Sequence, residues 1–117
     1  MNIDFTHSLV ILSSSVGAIF IAAGLLLKYY PPEEINSIYG YRSKKSMLDK
    51  DRWDFAQRYS GNVMIIVGIL YSLSGILTAL TKLEESTGIY IGLGLMIFYV
   101  VLIGYFTEGA IKRKFDV

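Results

Sequence analysis

The sequence predicts an all-α integral membrane protein with three transmembrane helices and a cytoplasmic amphipathic helix between the first and the second. Residues 8–27, 61–81 and 86–107 contain no Asp, Glu, Lys, Arg or His. Each run has 20 to 22 residues, and at about 1.5 Å per residue each is long enough to cross the roughly 30 Å hydrocarbon core of a bilayer. The charged residues are concentrated between and after these runs.

The composition argues against a soluble helical bundle. Soluble helices keep a polar face, and none of the three apolar runs has one. With 117 residues, the chain is long enough for one domain. We therefore expect a single three-helix transmembrane domain over residues 1–117, with a structured cytoplasmic loop at residues 31–60.

The first span is rich in Ser, Gly and Ala between residues 13 and 24, and small residues allow helices to approach closely in lipid. Lys28 and two tyrosines follow it, as is typical of anchors at the lipid headgroups. Pro31 and Pro32 cannot continue the helix. Pro32 and the two following glutamates resemble the opening turn of a second, short helix.

The distribution of Lys and Arg predicts the orientation. Residues 1–27 contain none, whereas residues 28–60 contain seven. The connection at residues 82–85 contains one, and the tail from residue 108 contains three. The positive-inside rule then places the N-terminus outside, and the 28–60 segment and the C-terminus in the cytoplasm. We expect a multi-pass protein of the bacterial cell membrane.

Residues 46–60 have the pattern of a helix. Ser46 followed by Asp49 fits a helix-capping pattern, and a helix from about residue 47 would place Trp53, Ala56, Gln57 and Ser60 on one face. The sequence leaves open whether this is a separate amphipathic helix at the membrane surface or the protruding start of the second span. Asp54 and Arg58 have the spacing of an i,i+4 ion pair.

Glycines mark candidate helix-packing faces in the second and third spans. Gly61, Gly68 and Gly75 are seven residues apart, so they share a face. Gly88 and Gly92 form a GxxxG spacing at the start of the third span. We expect contact between spans two and three, and a homo-oligomer is compatible with this pattern. Glu108, at the end of the third span, has the spacing to pair with Lys112.

The sequence offers few groups for chemistry. No span carries a charge at its centre, whereas ion-coupled transporters usually keep one there. The chain has no cysteine and one histidine, which gives no thiolate site and no nucleophile with a histidine partner. Asp49, Asp51 and Asp54 are better explained as a solvated helix face than as metal ligands. We expect no enzymatic activity, metal or cofactor, and the net charge of +1 gives no argument for direct nucleic-acid binding.

The candidate site lies in the 28–60 segment. Tyr39, Gly40, Tyr41 and Arg42 form a turn in which the glycine can take a positive φ. Arg42 and the two lysines that follow make a small basic cluster suited to membrane lipid. Asn36, Trp53 and Gln57 add planar polar and aromatic groups suited either to binding a partner or to organising the loop.

The pattern N-x-x-Y-G-Y-R-S from Asn36 to Ser43, followed by Ser46, W-x-x-A-Q at residues 53–57 and Gly61, resembles the signature of the SdpI family of bacterial membrane proteins. The resemblance covers residues 36–61 by motif and the remaining spans by topology. Ser43 stands where threonine is commoner in the family, and the chain corresponds to the motif-bearing part of the best-known member.

The resemblance implies a non-enzymatic immunity or signalling protein. The best-known member protects its cell from a secreted toxic peptide and is thought to hold a transcriptional repressor at the membrane. A peptide toxin, a cytoplasmic repressor and membrane lipid are therefore the expected partners. Two alternatives are a small oligomeric transporter or channel, and a membrane enzyme that uses Arg42 and nearby carboxylates.

Overall fold

The computed structural model describes residues 8–81 and 84–115. Helix α1 covers Ser8–Tyr29, α2 covers Lys50–Ala79 and α3 covers Glu85–Phe115. All three are long and apolar enough to span a membrane, and together they form a body of about 51 × 24 × 22 Å. The predicted all-helical, three-span architecture is confirmed. The N-terminal residues, Lys82 and Leu83 lie outside the described residues.

Helix α2 is continuous from Lys50 to Ala79, so a separate amphipathic helix between the first two spans is not confirmed. Residues 50–60 are instead the first three turns of the second span. The N-cap is Asp49, whose side chain accepts a hydrogen bond from the backbone N–H of Arg52 at 2.9 Å. The expectation of a helix starting near residue 47 with Ser46 as its cap was wrong, because Ser46 bonds within the preceding turn.

The amphipathic pattern was nevertheless assigned to the correct face. Trp53, Ala56, Gln57 and Ser60 are all fully buried. The aromatic ring of Phe55, on the neighbouring face, meets the ring of Phe115 edge to face at a centroid distance of 5.7 Å. The last turn of α3 therefore packs beside the first turns of α2, and the start of α2 is enclosed although it precedes the apolar run.

Helices α1 and α2 form the closest interface, through facing glycines. A Cβ atom added to Gly68 would lie 2.6 Å from the carbonyl oxygen of Gly17, and one added to Gly61 would lie 2.8 Å from that of Gly24. Gly75 lies against Ser13. Because the glycines of α1 are also seven residues apart, the two antiparallel helices match glycine to glycine over two turns. Backbone-to-backbone approach of this kind leaves no room for any side chain.

Gly61, Gly68 and Gly75 are helix-packing residues as expected, and the expected contact between spans two and three is present but is made by other residues. The glycine face of α2 packs on α1, and α3 packs against α2 through aromatic rings. Tyr71 stacks on Tyr99 with a centroid distance of 5.6 Å, and the Tyr71 hydroxyl donates to the carbonyl of Gly92 at 2.5 Å. Gly88 and Gly92 are buried, and a Cβ on Gly92 would meet Leu9 and Leu12 of α1.

The connection from Tyr30 to Asp49 has no helix at Pro32 and the two following glutamates, so the expected short helix there was wrong. Pro32 is buried beneath this connection. The chain instead forms a hydrogen-bonded turn structure against the ends of all three helices.

Candidate functional site

The candidate site is the segment 36–46, here called the polar turn. It starts at Asn36, whose side-chain oxygen accepts from the backbone N–H groups of Ile38 at 2.9 Å and Tyr39 at 2.7 Å. The Asn36 amide nitrogen donates to the carbonyl of Glu34 at 3.0 Å. An asparagine that bonds its own backbone in this way fixes a turn without any partner helix. Asn36 is therefore a loop-organising residue.

Gly40 lies at the point where the polar turn reaches α2. Its φ of +106° is in the region that L side chains rarely adopt. A Cβ at this position would lie 2.6 Å from the side-chain oxygen of Gln57 and 2.7 Å from the ring of Pro32. Both the conformation and the space therefore require glycine, as the sequence predicted.

Gln57 is the main link between the polar turn and α2. Its side-chain oxygen accepts from the backbone N–H of Tyr41 at 2.6 Å, and its amide nitrogen donates to the Tyr41 carbonyl at 2.8 Å. One turn earlier, the Trp53 indole N–H donates to the carbonyl of Pro32 at 2.8 Å. Both side chains are fully buried. They form hydrogen bonds that water would otherwise make to these backbone groups, for which no other partner is described. They organise the loop and are not a free binding surface.

The polar turn is also attached to α1. The Tyr39 hydroxyl donates to the carbonyl of Tyr30 at 2.6 Å, and the carbonyl of Leu26 lies 3.4 Å away. The short bond is to Tyr30, one residue beyond α1, and the Leu26 carbonyl already accepts from the Tyr30 N–H. Tyr39 therefore fastens the polar turn to the chain where it leaves α1.

Ser43 and Ser46 close the end of the polar turn by bonding to each other's backbone. The Ser43 N–H donates to the Ser46 hydroxyl oxygen at 2.8 Å, and the Ser46 N–H donates to the Ser43 hydroxyl oxygen at 3.1 Å. The reciprocal pair explains why a hydroxyl is needed at both positions.

Glu108 on α3 is the site residue that sequence reasoning missed. Its carboxylate accepts from the Tyr41 hydroxyl at 2.6 Å and from the Ser43 hydroxyl at 2.8 Å. The expected pair with Lys112 is not formed. Burial and, secondarily, the Glu108 carboxylate raise the pKa of Tyr41 well above its ordinary value, so its hydroxyl stays a donor. The sequence did contain a signal for this contact. Glu108 is a single carboxylate at the end of span three, on the side of the membrane predicted for the polar turn.

The expected Asp54–Arg58 pair is also absent, because Asp54 accepts from Lys50 at 2.8 Å. The second ion pair within residues 8–81 and 84–115 joins Arg52 to Asp49. Both pairs lie on α2 and its cap, outside the polar turn.

Arg42 differs from the other motif residues of the polar turn. One guanidinium nitrogen donates to the carbonyl of Ser37, but the side chain is exposed and forms no ion pair with a described residue. Arginine has five N–H donors, so most of the Arg42 donors have no partner among the described residues and are open to solvent or to a ligand. The structure thus brings together Asn36, Tyr39, Gly40, Tyr41, Ser43, Ser46, Trp53 and Gln57 as one framework that displays Arg42.

Directly beneath the polar turn lies a groove of about 720 Å³ between the ends of the three helices. Tyr39, Gly40, Tyr41 and Arg42 form its roof, and the helices contribute apolar side chains. Leu26 and Val100, on its two sides, are about half exposed. The groove therefore opens sideways between α1 and α3.

The fold and site define a small three-helix membrane protein with a polar turn that is bonded to all three helices and displays one arginine. The sequence profile of the SdpI/YfhL protein family matches residues 33–105. This match covers more than half of the chain, so the chain belongs to the SdpI/YfhL family. It includes the polar turn, α2 and most of α3.

A search of curated proteins found a relative with a similar sequence, the uncharacterized protein YfhL of Bacillus subtilis (strain 168). The two are 46% identical over 61 residues, which are 52% of this chain and 56% of the relative. The chain thus spans only about half the length of the curated relative it matches. No solved structure gave a significant match.

Proposed function

We propose that the protein is a non-enzymatic membrane immunity or signalling protein of the SdpI type. It would protect its cell against a membrane-active peptide toxin, and the polar turn would bind a cytoplasmic regulator such as a repressor. Family membership supports this proposal. The observation that carries it is the division of labour in the polar turn, where the other motif side chains hold the backbone and Arg42 is displayed.

The bonding pattern of the site favours recognition over catalysis. Glu108 accepts the hydroxyl groups of Tyr41 and Ser43 on one carboxylate oxygen, and the Gln57 amide is used on both sides by the Tyr41 backbone. The bonds that these two side chains form hold the polar turn on α2 and α3, so their described role is structural.

The orientation supports a cytoplasmic partner. The Lys and Arg residues are concentrated on the side of the polar turn, and the positive-inside rule places that side in the cytoplasm. In this orientation the N-terminus and the 82–85 connection are outside, where a secreted peptide arrives. Arg42, Lys44 and Lys45 then lie at the inner leaflet, where anionic lipid adds to their interactions.

A small oligomeric transporter or channel is the alternative. It would require polar side chains that face a water-filled path. The hydroxyls of Ser72, Ser74 and Thr78 donate instead to the carbonyls four residues earlier in α2, at 2.9, 2.8 and 2.7 Å. Hydroxyls that donate to their own helix in this way have no proton left to offer a permeating anion or water molecule.

The proposal is tested by resistance. The chain is expressed in bacteria sensitive to a membrane-active peptide of the secreted-toxin type, and growth is followed over a peptide dilution series. We expect the wild type to raise the inhibitory concentration and Arg42→Gln to abolish this gain. Arg58→Gln is the matched control, because Arg58 is also exposed on the same side of the membrane.

Membrane levels of each variant are measured in parallel, so that loss of resistance is separated from loss of protein. Trp53→Ala is unsuitable as a functional variant, since the buried indole holds Pro32 and its removal would unfold the loop. Wild-type protein without any effect on resistance, or full resistance with Arg42→Gln, would contradict the proposal. Flux of ions through reconstituted protein would favour the alternative.

A further inference from the structure

The groove beneath the polar turn has the shape and chemistry of a lipid site. Its side chains from the helices, including Phe20, Ala23, Met64 and Ile103, are all apolar. Its roof carries the guanidinium of Arg42. An apolar slot with a cation at one end matches a molecule with an apolar tail and an anionic head.

The dimensions of the groove match one leaflet. Its lining on α1 reaches from Phe20 to Leu27, next to Lys28 at the membrane edge. Eight residues from position 20 to 28 correspond to about 12 Å along the helix. Half of the hydrocarbon core is about 15 Å. An acyl chain of the leaflet nearest the polar turn therefore lies at the correct depth.

An acyl chain fits this groove better than a peptide does. A peptide in lipid must be helical to satisfy its backbone, and a helix with its side chains is about 10–12 Å wide. Apart from the roof formed by residues 39–42, the lining of the groove is apolar, so it offers a flexible apolar chain contacts along its length but no partner for a polar backbone. An acyl chain is narrower and has no polar backbone.

We propose that this groove binds one acyl chain of an anionic phospholipid, with Arg42 on the lipid phosphate. Most of the Arg42 donors are unused within the described residues, and a charge-assisted bond to phosphate is what its guanidinium favours. The acyl chain would contact Tyr39, Gly40 and Tyr41 from below. The lipid site shares Arg42 with the proposed function, but the groove is lined by other residues, and lipid labelling is measured separately from resistance.

The test uses purified protein in phosphatidylcholine nanodiscs that contain a phosphatidylglycerol with a photoreactive diazirine on its acyl chain. After illumination, the labelled residues are mapped by mass spectrometry. We expect labelling at residues that line the groove, such as Met64 and Val100. The same diazirine on phosphatidylcholine should label these residues less.

Two glycines of α3 provide a matched pair of variants. A Cβ at Gly104 and a Cβ at Gly94 would both meet nothing within 4 Å, but only Gly104 lines the groove. Gly104→Leu should fill the groove and reduce labelling by about tenfold, equivalent to about 1.4 kcal/mol. Gly94→Leu should leave labelling unchanged. Ala23→Leu blocks the groove from α1 and serves if Gly104→Leu does not fold.

Arg42→Gln should weaken labelling by phosphatidylglycerol about fivefold, the usual contribution of one basic residue at an anionic surface. Lys44→Gln is its control, since Lys44 is exposed and does not line the groove. Equal labelling in the wild type, Gly104→Leu and Ala23→Leu would overturn the proposal. A photoreactive membrane-active peptide that labels the groove where the lipid does not would also overturn it.

Discussion

Replacing Gln57 by leucine tests how firmly the polar turn is held on α2. The change removes the bonds of 2.6 and 2.8 Å to the N–H and carbonyl of Tyr41 and keeps a buried side chain of similar volume. Each backbone group left without a partner costs about 1–3 kcal/mol. Because Tyr41 is half-buried, water can bond to these groups in part and reduce the cost. We therefore expect the free energy that holds the turn closed to fall by about 2–3 kcal/mol, which raises the equilibrium constant for opening about 30- to 150-fold.

Trypsin measures this opening directly, because Arg42, Lys44 and Lys45 are cleavage sites within the polar turn. When opening and closing are faster than cleavage, the rate of proteolysis follows the population of the open state. Cleavage of the variant in nanodiscs should therefore be faster by the factor given above. Asn62→Leu makes the same chemical change at an exposed position of α2 and should leave the rate unchanged. Wild-type cleavage kinetics in Gln57→Leu would refute the reasoning.

Three further predictions concern packing, the α3 contact and pH. Gly68→Ala should destabilise the α1–α2 interface by about 1–3 kcal/mol in a thermal unfolding assay, because the new Cβ would lie 2.6 Å from a backbone oxygen of α1. Gly94→Ala is the control. It has open space around it and should be neutral or stabilising in the same assay. Glu108→Ala should raise the rate of trypsin cleavage in the polar turn about tenfold or more, because two charge-assisted bonds are lost. Lys112→Ala should leave this rate unchanged. Faster cleavage in Lys112→Ala but not in Glu108→Ala would show that Glu108 pairs with Lys112 instead. The raised pKa of Tyr41 means that the folded state holds this proton more tightly than the unfolded state. The resulting stability is fully present below pH 10.0 and is lost as the pH rises above it. Unfolding midpoints measured from pH 9 to 12 should therefore fall less in Tyr41→Phe than in the wild type.

The three spans could be predicted from the sequence because membrane insertion depends on length and composition, which are local properties. The same holds for Gly40, whose requirement for a positive φ is set within its own turn, and for the buried face of Trp53 and Gln57, which helical spacing reveals. The start of α2 was placed incorrectly because Ser46 and Asp49 both carry capping side chains. Ser46 is used by Ser43, and only the folded turn shows this.

Contacts between distant segments could not be predicted. Periodicity shows that Gly61, Gly68 and Gly75 share a face, but it does not say which helix meets that face. The answer depends on Gly17 and Gly24 having the same spacing in the antiparallel direction. Glu108 was missed for the same reason, since its partner Tyr41 is 67 residues away and a closer basic residue offered a simpler explanation.

The central claim is that the polar turn is a fixed surface that faces the cytoplasm. The chain has no cysteine, so Arg42→Cys and, at the opposite end of α2, Thr81→Cys each introduce a single exposed thiol. A membrane-impermeant maleimide is applied to intact cells and to opened cells. Position 81 should react in intact cells, and position 42 should react only after the cells are opened. Labelling of position 42 in intact cells would place the polar turn outside and contradict the account.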